Sequence, residues 1–230
     1  IIYQVIYMNN FWITDMPKYS MIIFIVLNII SMILYPGGNL LDFEQIGYSF
    51  TRNFFSDLGL TISHSKVPNT YSCILFNTSL IICGVTFTML FYKIKDVFRY
   101  NFLSKLATFF GILGGLSYIG VALTPSNLLL DAHIFFAHSI FRFLFISSFL
   151  FSILIFKTES FDNKYGFGFI TFAIMVLAYV FISEVGPDPR TSSNALLLQA
   201  ISQKIIAIWI LFSIYMYSLG LGKYLNNKAT

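Results

Sequence analysis

Six stretches of this chain stay largely apolar for about 17 residues or more, and each ends at a proline, a glycine or a cluster of charges. A helix rises about 1.5 Å per residue, so each stretch matches a hydrocarbon layer of about 30 Å. Only 10% of the 230 residues are charged, whereas soluble domains carry about a quarter. A water-soluble globule is therefore excluded, and the expected fold class is all-α: a polytopic membrane protein built as a six-helix transmembrane bundle.

The pattern predicts spans over about 19–35, 70–92, 106–123, 129–156, 167–185 and 195–221 in a single transmembrane domain. Pro36-Gly37-Gly38 ends the first, and Asn69 or Thr70 caps the second. The third stops at Thr124-Pro125, Ser126 and Asn127 are available to cap the fourth, and Gly186-Pro187 ends the fifth. No small-residue cleavage pattern follows the first apolar run, so no removable leader is expected. The connection over 37–69 is too long for a turn and alternates aromatic with polar residues, as an interfacial or re-entrant element over the outer mouth would.

Cations set the orientation. Lys18, Lys93, Lys95, Arg99, Lys105, Lys157, Lys164, Lys223 and Lys228 fall on one side, whereas only Arg52, Lys66 and Arg190 fall on the other. That bias places both termini in the cytoplasm and the chain in the cytoplasmic membrane. The same topology explains a pI of 9.0 and leaves nucleic-acid binding without support. Cys73 and Cys83 lie ten residues apart in one helix, about 15 Å of rise, too far to pair. Gly111 and Gly115 allow close approach of a neighbouring helix, within the chain or in a homo-oligomer or membrane complex.

The remaining ionisable groups divide unevenly. Asp15, Asp96, Glu159 and Asp162 read as ordinary cytoplasmic loop charges, while Asp42, Glu44, Asp57, His64, Asp131, His133, His138, Glu184 and Asp188 all belong to the outer half. On the fourth span, Asp131, His138 and Arg142 share one stripe, since seven residues return a helix to within about 20°. Arg142 is costly among phenylalanines and needs a partner: Asp131 through a water, Glu184 or Asp57. It is expected to face the bundle interior. His133 lies about 140° round from His138, so the two do not form a metal-binding pair, and no metal or other cofactor is expected.

Gln199, Ser202 and Gln203, with Lys204 beside them, form a polar strip on the last span that would meet this stripe if both line one cavity. The competing reading is that the strip is wetted by headgroups or ties helices together. Candidate catalytic residues are Asp57, His133 and His138. Candidate substrate-binding residues are Ser56, Asp131, Arg142, Glu184, Gln199, Gln203 and Lys204. In Asn53-Phe54-Phe55-Ser56-Asp57-Leu58-Gly59, Ser56 is a turn-capping residue or a nucleophile activated by His133 or His138, and Gly59 is expected to supply a positive φ.

The run from Tyr48 to Gly59, followed by Leu75-Phe76-Asn77 and Gly84, resembles domain-of-unknown-function family 998, an uncharacterised family of prokaryotic membrane proteins. Gly120-Val121-Ala122-Leu123-Thr124-Pro125, Asp131-Ala132-His133, Gln203-Lys204 and Trp209 agree with it. The resemblance implies a compact bundle of about six helices and no particular activity.

Three functions compete. One is a membrane-embedded enzyme acting on a lipid or isoprenoid headgroup, with membrane lipids as its partners. Another is a carrier or sensor for protons or a small solute, titrating Asp131, His138 and Glu184. A third is a non-catalytic accessory subunit whose polar strip is a helix seam.

Overall fold

A computed structural model describes residues 11–95, 97–98 and 102–229. Asp96 and Arg99 lie outside the described residues, as does the side chain of Lys228. The helices are α1 (Met16–Leu34), α2 (Thr70–Ile94), α3 (Phe102–Leu123), α4 (Leu130–Phe156), α5 (Asn163–Val185) and α6 (Ser193–Ala229), with a π-helical turn, Phe11–Asp15, leading into α1. All six are long and apolar enough to cross a membrane, and there is no strand among the described residues. The first and last helices reach beyond the expected spans of about 19–35 and 195–221, because sequence hydropathy falls at the interface before the backbone stops being helical.

The side-chain distribution is that of a chain dissolved in lipid. Ile22, Ile25, Ile29 and Ile33 of α1, and Phe167, Ile174, Leu177 and Phe181 of α5, point outward. Small polar groups face inward: Ser31 hydrogen-bonds Ser72 at 2.8 Å, and Asn28 donates to Ser79 Oγ at 3.0 Å. In water this arrangement would expose apolar surface and bury polar groups, the reverse of a soluble core. The chain is a multi-pass integral membrane protein.

Each helix packs against the next in chain order, and α6 closes on α1, so the six form a ring. Glycines bring the backbones of α2 and α3 close together. A Cβ on Gly84 would stand 2.8 Å from the Gly115 carbonyl oxygen, and one on Gly115 would stand 2.6 Å from the Thr88 nitrogen. The glycine stripe of α3 is thus occupied within the chain. At the end of the ring that carries Lys157 and Lys164, aromatic rings fill the interior: Phe98 packs on Phe151 and on Phe161, both at 5.7 Å, and Phe161 packs on Tyr224 at 5.0 Å. At the opposite end the connection between α1 and α2 folds over the ring as a cap.

Candidate functional site

Asn53, fully buried, is the hub of the cap. Its Nδ2 donates to the Gly38 carbonyl at 2.7 Å and to Asp57 Oδ2 at 2.9 Å. Its Oδ1 accepts from Gln45 Nε2 and from the Ser49 amide. Asp57 also accepts from the Phe54 amide, capping the short 3-10 helix Phe55–Gly59, and its Oδ1 lies 3.2 Å from His64 Nε2. Around this carboxylate, burial and then its negative charge push the Tyr35 and Tyr48 phenols far above their ordinary range. Tyr48 therefore stays a donor, and it bonds the Phe54 carbonyl at 3.0 Å.

Contacts with α6, with α2 and with the α3–α4 connection dock the cap. Lys204 of α6, 1% exposed, donates from Nζ to the carbonyls of Asn53 and Ala200, with the rings of Tyr48, Phe50 and Phe55 between 5.2 and 5.5 Å from its nitrogen. Such an aromatic cage stabilises a buried cation through the negative faces of the rings. Asn69, at the start of α2, donates to the carbonyls of Leu58 and Leu60, and Cys73 donates to that of Gly59. Asn127, between α3 and α4, exchanges two hydrogen bonds with Thr61. Gly59 does not adopt a positive φ as expected. It is small because a Cβ there would stand 2.8 Å from the ring of Phe76.

Beneath the cap lies a cavity of about 70 Å³, lined by α1, α2, α3, α4 and α6 and roofed by Phe55 and Ser56. Its walls are apolar except at Ser56, His133, Gln203 and Tyr118. Hydrogen-bond chemistry fixes two of these groups. The Thr124 carbonyl can only accept, so His133 Nδ1, 2.7 Å away, carries the proton, and neutral His133 keeps Nε2 as an acceptor. The Phe55 amide can only donate, so the Gln203 oxygen 2.7 Å away is its Oε1, which leaves the Nε2 protons for another acceptor.

The chain matches the model of the family described as "Protein of unknown function (DUF998)" over residues 22–215. It belongs to this family. Comparison with curated proteins returned no match, and comparison with solved structures returned none. Every residue lining the cavity, and the whole cap, falls within the DUF998 match.

The other candidates in this DUF998 chain lie elsewhere. Arg142 does not face the interior as expected: its side chain is 55% exposed and grips Glu184 through Nη2 at 2.7 Å and Nε at 3.1 Å. His138 Nδ1 stands 3.8 Å from the same carboxylate, and Asp131 is exposed. The reason is helical phase. Ile140, Phe141 and Leu144 turn the inner face of α4 toward the core, which brings His133 inside and leaves the Asp131–His138–Arg142 stripe outside. The stripe consequently does not meet the α6 strip. Gln199 caps α5, donating to the carbonyls of Ile182 and Pro187. Sequence reasoning missed Asn53, Tyr48 and the Asp57–His64 pair, although Asn53 stood within the motif that carried the family resemblance.

Proposed function

We propose that this protein is a membrane-embedded enzyme that acts on an ester linkage at the headgroup of a lipid or isoprenoid, in the cavity beneath the cap. The observation that carries the reading is the convergence of Ser56, His133 and Gln203 on one cavity whose remaining walls, Tyr118 apart, are apolar. Ser56 is the nucleophile and His133 the base: as the serine oxygen attacks the ester, its proton passes to His133 Nε2 and then to the departing alcohol. Water repeats the cycle and frees the serine. Gln203 Nε2 donates to the oxygen that gains charge. Asp57 and Lys204 hold the cap, so neither takes part directly. Drug-sized pockets run to roughly 300–1,000 Å³, so this cavity takes the polar linkage and its first carbons while the chains stay in the bilayer. Entry is between α1 and α6, the most sparsely packed seam of the ring.

The aromatic filling at the Lys164 end weighs against the carrier alternative, since among the described residues the buried side chains packed there are phenylalanines and tyrosines. With the cations placed by the positive-inside rule, that end is cytoplasmic, and the cap faces outward from the cytoplasmic membrane. The test is to incubate the full chain in vesicles of mixed diacyl phospholipids and polyprenyl phosphates and follow the lipids by mass spectrometry. Ester cleavage that falls about 100-fold or more in Ser56→Ala and in His133→Ala, with unchanged thermal unfolding, supports the reading. Lipids left intact by the native chain, or altered equally by both variants, would refute it in favour of an accessory subunit.

A further inference from the structure

A second recess, unconnected with the cap, runs between α5 and α6 at the opposite end of the ring. It holds about 330 Å³, and its walls include Phe169, Phe212 and Met216. Trp209 and Tyr217 also line it. Tyr217 is 1% exposed, yet among the described residues its hydroxyl has no hydrogen-bond partner, and neither has the buried indole N–H of Trp209. An orphan donor away from water is costly, and two of them beside one apolar recess mark places where an acceptor belongs. Helix geometry spaces them. Tyr217 packs on Phe169 at 4.3 Å, five residues and about 7 Å of rise in from Lys164 at the mouth, and Trp209 lies two turns deeper along α6.

The mouth is cationic. Asp162, at the start of α5, is held below the usual carboxylate range by hydrogen bonds from Lys164 and by the charge of Lys223, so two cations share one carboxylate there. An apolar body with acceptors partway along it and an anion at its end is the description of a phospholipid.

We infer that the α5–α6 recess is a binding site for one anionic diacyl phospholipid: phosphate at Lys164 and Lys223, an ester oxygen on the Tyr217 hydroxyl, and an acyl chain past Trp209. This site stands on its own observations and does not depend on the cavity beneath the cap.

The test uses the full chain in phosphatidylcholine vesicles containing a small fraction of phosphatidylglycerol with a photoreactive acyl chain, followed by peptide mapping of the cross-links. The expected result is cross-links concentrated in residues 165–171 and 209–217 and competed by unlabelled phosphatidylglycerol at least several-fold better than by phosphatidylcholine. Tyr217→Phe, which removes only the hydroxyl, should lower that labelling several-fold without lowering thermal stability in detergent. Trp209→Phe should do the same. Labelling spread evenly round the bundle, equal competition by both lipids, or labelling unchanged in both variants would overturn the site.

Discussion

At the scale of single residues, Asn53 does more for the cap than any charged group. It satisfies two donors and two acceptors while fully buried, so Asn53→Ala takes a partner from Asp57 and from the Gly38 carbonyl and leaves the Ser49 amide without its acceptor. The expected cost is about 2–4 kcal/mol, read as a fall in thermal midpoint with protease cleavage appearing in 38–69 first. Tyr48 supplies a pH signature. Its phenol pKa is raised in the fold, so its contribution is complete below the unfolded value of 10.0 and is lost as pH rises above it. Stability should therefore fall as pH rises above 10.0, and Tyr48→Phe should lessen that fall in thermal unfolding, with Tyr35 contributing its own share in both proteins; a fall unchanged in the variant would contradict the burial of this phenol. Arg142 teaches the limit of reading residues alone. Its expense in hydrocarbon was legible, and so was Glu184 as a partner, but which face of α4 turns inward is decided by Ile140, Phe141 and Leu144 against neighbouring helices. Since the pair is half exposed, Arg142→Leu should change stability by about 1 kcal/mol or less and leave lipid turnover intact.

Among the elements, the number and character of the helices follow from hydropathy, whereas the use of their polar ends does not. Asn69 and Asn127 read as helix caps, yet both spend their side chains on the connection between α1 and α2. A cap and a tether demand the same donors and acceptors, so composition and spacing leave the two indistinguishable. The 37–69 segment showed itself as too long and too aromatic to be idle, but its docking depends on Lys204 reaching Asn53 across some 150 residues of chain, which no local pattern encodes. The α2–α3 crossing offers a clean packing test. Gly84→Ala places a methyl group against the Gly115 backbone and should cost about 1–3 kcal/mol in thermal or denaturant unfolding. Gly168→Ala, which meets open space on α5, should cost nothing measurable.

For the whole molecule, a ring of six helices filled by aromatic side chains at one end and roofed by a tethered cap at the other leaves a small interior space beneath that cap, and the polar groups that face it come from four separate parts of the chain: the cap, α3, α4 and α6. The cation bias motivates an orientation that labelling tests. With Cys73 and Cys83 replaced by serine, single cysteines at Lys66 and Arg190 should label from outside the cell, and those at Lys95 and Lys164 only after the membrane is opened. Labelling of positions 66 and 95 from the same side would contradict the topology. The central claim, that the space under Phe55 and Ser56 receives a lipid headgroup, is tested most directly by an experimental density map of the full chain in a lipid nanodisc. Continuous density is expected to enter between α1 and α6 and to end within hydrogen-bond distance of Ser56, His133 Nε2 and Gln203 Nε2. A cavity closed by repacked side chains, with lipid density only on the outer faces of the helices, would contradict it.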